Sequence, residues 1–214
     1  MKAKKNILCL LMIIIVSFAC ALTLKASIGV GAWDALAQTG SSISGIQVGT
    51  VGMILNFVCI LNQLIILKKN FKVKQALQII LSFVIGYAVN FFYYDVLGGI
   101  DLSNYLLRVA ALIIGYVIFA FTVAVIMLLD VVTFALEGAC KIIAGKTGIK
   151  FHIFRQGVDV ACIAISAILA FAFNVPLAVR EGTVIGMIIF GPIMGMFMKL
   201  LKPIFQKYAL TDYQ

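Results

Sequence analysis

The chain has 214 residues, of which 64% are hydrophobic and 12% charged. A soluble domain is about half apolar and about a quarter charged, so this composition argues against a soluble globular protein and for one compact integral membrane domain. The net charge of +9 would suit nucleic acid, but the basic residues lie in short loops between apolar runs, with no basic face interleaved with aromatics, so nucleic acid is not expected as a partner.

The N-terminal Lys2-Ala3-Lys4-Lys5 precedes an apolar run from Ile7 to about Leu24. It resembles a secretory signal, but a secretory apolar region is about 7–15 residues and a membrane span about 20. The segment is therefore read as a retained signal-anchor span, roughly 6–24. Further spans are expected at roughly 49–67, 76–95, 107–129, 157–174 and 183–200, with errors of a few residues at each end. Asp95 to Leu107, with Gly98-Gly99, Asp101 and Asn104, reads as a short turn. Residues 201–214 read as a tail whose Phe205, Tyr208 and Tyr213 suit the membrane interface. The five cysteines fall in apolar surroundings with no C-x-x-C pair, so buried free thiols are expected.

Six spans put both ends on one side. Of the 17 Lys and Arg residues, only Lys25, Arg108 and Arg180 fall on the other side. This bias places both termini in the cytoplasm.

Two connections are too long for tight turns and too apolar for solvated loops: Lys25 to Val48 and Asp130 to Gln156. Sliding the first half onto the second by 103 residues brings Asp34 onto Glu137, Gly45-Ile46 onto Gly148-Ile149, Asn56 onto Asp159 and Cys59-Ile60 onto Cys162-Ile163. With two more residues inserted, Gly86 falls on Gly191. Few residues are identical. The stronger support is the order, span, semi-polar connection, span, span, met twice. Three spans per unit reverse its orientation, which is the inverted-repeat plan of many secondary transporters. The expected fold is thus all-α and membrane-integral, one domain over 1–214, with repeats at about 6–95 and 107–200. Each repeat carries a broken or re-entrant half-helix after its first span, at about 31–40 and about 132–145, because irregular backbone at membrane depth must be shielded by protein or line a cavity.

Charged groups at that depth are costly and so are candidates for function. Asp34, beside Trp33 in the stretch GAWDAL, and Glu137 hold matching places in the two half-helices. Packed about a pseudo-two-fold axis, they would approach the centre from opposite sides, and a desolvated carboxylate there would hold a proton more tightly or meet a cation. The alternative is that both are solvated at the interface or cap a helix end, with Trp33 a belt anchor. Arg155 and Asp159 are four apart and share a helix face, as an ion pair or as a gate or substrate clamp. Asp130 is a weaker candidate. Asn56, Asn90 and Thr122 suit interhelical hydrogen bonds, and Gly86, Gly191 and Gly195 suit close helix contact. His152 is the single histidine and has no partner ligands nearby in sequence, so no metal site is expected. No catalytic or cofactor-binding motif occurs.

Lys25-Ala26 through Gly31-Ala32-Trp33-Asp34-Ala35-Leu36, with Gly49-Thr50 and Asn56, then Arg155 with Asp159, then Gly182-Thr183 with Gly191-Pro192, resemble the YczE/YyaS/YitT group of bacterial six-span membrane proteins, most closely its YczE-like branch. The order and spacing of these motifs cover nearly the whole chain. Ala32 stands where that group usually has a proline before the Trp-Asp pair. The resemblance implies a multi-pass plasma-membrane protein and a transport role, with no substrate specified. The expectation is a small secondary transporter or permease for an unknown solute or ion, with Trp33, Asp34, Asn56, Glu137, Arg155 and Asp159 on its pathway, no cofactor and no enzymatic role. The alternative is a non-transporting subunit of another complex. An intramembrane enzyme acting on lipid is a third reading. A homodimer through exposed glycine faces is compatible with the sequence but not required by it.

Overall fold

The computed structural model describes residues 2–71 and 73–207, and only the backbone of Lys2, Ala3 and Lys74. Among these residues all regular structure is helical. The α-helices are α1 (Lys2–Ala26), α2 (Ala32–Ser44), α3 (Val48–Leu67), α4 (Val73–Asn90, extended by a π-helical stretch to Val96), α5 (Tyr105–Leu129), α6 (Ala135–Thr147), α7 (Phe151–Ala172) and α8 (Glu181–Lys207). All but α2 and α6 are long and apolar enough to cross a membrane, giving six spans. Helices α2 and α6 have 13 residues each. At 1.5 Å per residue they are about 20 Å long, short of a hydrocarbon core of about 30 Å. Six crossings bring both chain ends to one face, the terminal face. The turns after α1, α4 and α7 form the far face.

The internal duplication is visible in the helix boundaries. Helices α1 and α5 end at Ala26 and Leu129, α2 and α6 run from Ala32 and Ala135 to Ser44 and Thr147, and α3 and α7 start at Val48 and Phe151. Each pair is 103 residues apart. The half-helices even stop the same way, at Gly45 (φ 72°) and Gly148 (φ 74°). Each glycine returns its N–H to a carbonyl four residues back, Ser41 and Ala144. A left-handed stop of this kind favours glycine, which has no Cβ to clash. The half-helices were expected near 31–40 and 132–145. They run slightly later at both ends, and these glycines set where they stop.

Burial follows the half-helices from one end to the other. Ala32, Ala35, Ala37 and Thr39 of α2 are buried, as are Ala135, Leu136, Gly138, Ala139 and Cys140 of α6, whereas their last residues are exposed. Each therefore starts inside the bundle and climbs back to a face, α2 to the far face and α6 to the terminal face. Antiparallel α1 and α5 form the centre. A Cβ on Gly115 of α5 would lie 2.7 Å from the Thr23 methyl of α1, so the two helices approach more closely than a side chain there would permit. Helix α2 packs on α3 of its own repeat and on α7 of the other, and α6 packs on α7 and on α3. The half-helices are thus exchanged between repeats.

Two sequence boundaries move. Helix α7 starts at Phe151 rather than near 157, so Arg155 lies in its first turns; the stretch from Lys150 to Gln156 is too polar to read as a span by hydropathy. Helix α8 continues past 200 to Lys207 with Pro192 and Pro203 inside it. Each proline removes one helical hydrogen bond, which a helix can tolerate when neighbouring groups re-satisfy the backbone. Phe205, expected at the interface, is instead buried with Cys9 and Met12. Tyr208 and Tyr213 lie outside the described residues. Thr122 bonds back to its own helix at Ile118 and Phe119 rather than across to another. Buried hydroxyls often take this local partner.

The repeats differ in one respect. On the far face α3 meets α4 closely: the Gly49 N–H donates to Asn90 Oδ1 at 2.7 Å, Asn90 Nδ2 donates to Thr50 at 2.9 Å, and the Val48 N–H donates to the Tyr94 hydroxyl at 3.2 Å. The equivalent helices α7 and α8 make no comparable contact. His152 stands 103 residues after Gly49, and Gly191 and Gly195 have open space where a Cβ would go. The expected close packing through these two glycines is therefore absent; the main helix neighbour of α8 is α5. Gly86 does pack closely, against Gly49 and Met53.

A Cβ at Gly49 would lie 2.2 Å from the Gly86 carbonyl oxygen, whereas one at Gly52 meets only Ala37 at 4.0 Å. Gly49→Ala is expected to destabilise by about 1–3 kcal/mol, the usual cost of overpacking. Gly52→Ala should cost much less. Thermal unfolding of the two variants in detergent, compared side by side, checks this; equal midpoints would contradict the close α3–α4 contact.

Candidate functional site

Asp34 and Glu137 are both the third residue of their half-helix. A carboxylate there faces the unpaired amides of the first turn and the positive end of the helix dipole. Local helix chemistry therefore explains an acidic residue at each position. Surroundings then separate the two.

Asp34, Trp33 and Asn56 line a partly open cavity of about 70 Å³, with Cys20 and Leu24 of α1, Gly49, Gly52 and Met53 of α3, and Gly86 and Val89 of α4. The Cys20 thiol donates weakly to Asp34 Oδ1 at 3.6 Å. Among the described residues no Lys or Arg comes within ion-pair distance of Asp34. Cys20 lies six residues before the end of α1, so Asp34 sits roughly 9 Å below the far end of that helix. Above it lies a second cavity of about 210 Å³ with a polar lining that includes Gln38, Ser41, Ser42, Tyr93 and Tyr94. Leu24 and Val48 line both cavities and form the partition between them.

Glu137 opens on neither cavity. Arg155 of α7 forks between two carboxylates: Nε and Nη2 reach Glu137 Oε1 at 3.4 Å, and Nη1 bonds Asp159 one turn along the same helix. These side chains are 24–33% exposed, so the cluster borders the terminal side without being fully open. One cation against two carboxylates leaves it net negative. The charge of Arg155 also reaches Asp34 at longer range. The expected ion pair of Arg155 with Asp159 is present, and it extends across to α6.

The predicted residues thus sort into two groups. Trp33, Asp34 and Asn56 share the chamber; Glu137, Arg155 and Asp159 share the ion cluster. Asp34 and Glu137 do not look into one cavity, and they are not both solvated either. Trp33 is partly buried and packs against an apolar cluster drawn from α3 (Cys59 and Ile60) and α6 (Ala135, Leu136, Ala139 and Cys140). Asp130 does not reach this region; it is exposed at the left-handed cap of α5. His152 is exposed at the start of α7. All five cysteines are free and buried, and no group of metal-ligating side chains occurs among the described residues.

The residues that hold the half-helices in place were missed. Gln63 of α3 donates through Nε2 to the Ala135 carbonyl at 3.0 Å and to Gln78 Oε1 of α4 at 2.8 Å. Ser166 of α7 donates to the Ala35 carbonyl at 3.2 Å and pairs with the Thr39 hydroxyl at 2.7 Å. Gln63 and Ser166 are 103 residues apart. Each repeat therefore supplies a buried polar side chain, at the same place in its second span, to the first turn of the other repeat's half-helix. The register that aligned Asp34 with Glu137 also aligns this pair.

Replacing Arg155 by Gln would leave Glu137 and Asp159 facing each other without their cation, a costly change in a partly buried site. Arg155→Gln is expected to lower the unfolding temperature more than Asp159→Asn does, and the double variant should recover part of the loss. If adding Asp159→Asn lowered stability further, the two-carboxylate fork would be contradicted.

No curated protein and no solved structure matches the chain. A family profile described as a family of unknown function, DUF6198, matches residues 3–199, nearly the whole chain, and the chain belongs to that family.

Proposed function

We propose that the protein is a small secondary transporter or permease that moves a solute past the N-terminus of α2. The observation that carries this reading is the Asp34 chamber. A carboxylate with no ion-pair partner among the described residues lines a cavity at a helix break, and that cavity shares Leu24 and Val48 with a polar vestibule at the far face. Charged groups and helix breaks at membrane depth mark substrate and ion paths in inverted-repeat transporters. The Arg155 cluster closes the way toward the terminal face.

The asymmetry of the repeats supports the same reading. Alternating access in such folds moves one repeat against the other about a fixed site. Contact between α3 and α4 with α7 and α8 apart is one of the two arrangements that such a pair of units would exchange. The bias of Lys and Arg toward the terminal face supports a cytoplasmic location for both termini and insertion in a bacterial plasma membrane. We also propose kinship with the YczE-like proteins, resting on the Trp33-Asp34 and Arg155/Asp159 stretches, which fall in the chamber and the ion cluster. A second reading, a non-transporting subunit, is favoured by one observation: α8, whose main helix neighbour is α5, leaves most of its apolar surface for lipid or another chain.

Flux of a solute panel into proteoliposomes, with and without a proton gradient, tests this. The expected result is flux of at least one solute that is lost in Asp34→Asn and reduced in Glu137→Gln. Normal flux in both variants would defeat the pathway assigned here. No flux together with a stable co-purifying partner would favour the subunit reading.

A further inference from the structure

We propose that the Asp34 chamber takes a small ammonium-type cation, ammonium itself or methylammonium, held by the Asp34 carboxylate, the Asn56 side chain and the Trp33 ring. This rests on the transport reading only for what happens to the cation after it binds.

Charge decides the sign of the ligand. Asp34 is the one acidic residue lining the chamber. The nearest guanidinium identified by its effect on Asp34 belongs to Arg155, already engaged by Glu137 and Asp159. It is therefore not free to clamp an anion. The dipole of α2 opposes a cation with the equivalent of about half a charge. That offsets only part of the field of the Asp34 carboxylate.

Chemistry decides the class. Hard metal cations want about six oxygen ligands, or keep most of their water. This wall offers the oxygens of Asp34 and Asn56, and otherwise mainly aliphatic side chains and glycine. An ammonium group needs few acceptors, and an aromatic ring serves as one of its contacts. Trp33 is the single tryptophan in the chain, and it stands in this wall. Size completes the argument. One water occupies about 10–15 Å³ on the same measure. A chamber of about 70 Å³ has room for methylammonium and a few waters, but not for choline with its seven heavy atoms. The vestibule before it is lined by neutral hydroxyls and an amide and would present the cation to the partition at Leu24 and Val48.

Because Trp33 is unique, its fluorescence reports the chamber directly. The purified protein in detergent would be titrated with methylammonium chloride, ammonium chloride and choline chloride at constant ionic strength. The expected result is a saturable change with methylammonium and ammonium and none with choline. Asp34→Asn should weaken the response about tenfold or more, as for loss of a charged hydrogen bond. Gly52→Leu should abolish it while keeping the carboxylate, because Gly52 lines the chamber and a Cβ there meets only Ala37. Near-native circular dichroism is the control for folding. A response equal for choline, or unchanged in Asp34→Asn, would overturn the proposal. So would no saturable signal with methylammonium while another solute is transported in an Asp34-dependent way; transport would then stand and the cation class would fall. Saturable methylammonium binding without flux of any solute would keep the site and defeat the transport reading.

Discussion

A backbone amide or carbonyl at membrane depth has no water to bond, and each one left unpaired costs several kcal/mol. Helices α2 and α6 both begin at such a depth, after stretches that are not helical. A helix start leaves its first amides open, while its carbonyls already belong to the helical ladder; the bonds across the repeats go to those carbonyls and hold the half-helices in place. Gln63 of the first repeat bonds the Ala135 carbonyl of the second, and Ser166 of the second bonds the Ala35 carbonyl of the first. Ile28, in the stretch before α2, gives its carbonyl to the Gly182 N–H at 2.7 Å. A Cβ on Gly182 would lie 2.7 Å from the Ile28 and Gly29 oxygens, so this seam requires glycine.

That exchange is what brings chemistry to the middle of the bundle. Two half-helices whose first turns are partly buried carry two carboxylates at equivalent positions. They then diverge. Arg155 is in α7, next to α6, and neutralises much of the Glu137 charge. Its register mate in α3 is Gly52, a residue with no side chain, in the wall of the Asp34 chamber. Where one repeat fills the space with a guanidinium, the other leaves it open beside the carboxylate. The chamber is in this sense the ion cluster with its cation removed.

Much of this was legible in the sequence. The spans followed from hydropathy, and the duplication from one register, because α2 and α6 keep both length and position relative to their flanking spans. Site candidates could be named because acidic, Trp and Arg residues are rare in so apolar a chain. What the sequence could not carry was partnership across repeats. Glu137 and Arg155 are 18 residues apart on different helices, and only the packing of α6 on α7 joins them. Gln63 and Ser166 were overlooked as ordinary polar residues in apolar runs, although the register paired them. Gly191 and Gly195 read as packing surfaces, yet whether a helix neighbour reaches a glycine depends on tertiary position. The separation of α7 from α8 has no local signature at all.

The central claim is that the first turn of α2 lies inside the bundle and is held there by the opposite repeat. Trp33 is the second residue of that turn and the only tryptophan. Its depth and shielding can be measured by fluorescence quenching in vesicles, using lipids brominated at graded depths together with aqueous iodide. The account predicts a blue-shifted emission, weak quenching by iodide and no preferential quenching by bromines near the headgroups. Strong quenching by iodide or by shallow bromines would put Trp33 at the membrane interface and contradict the buried half-helix.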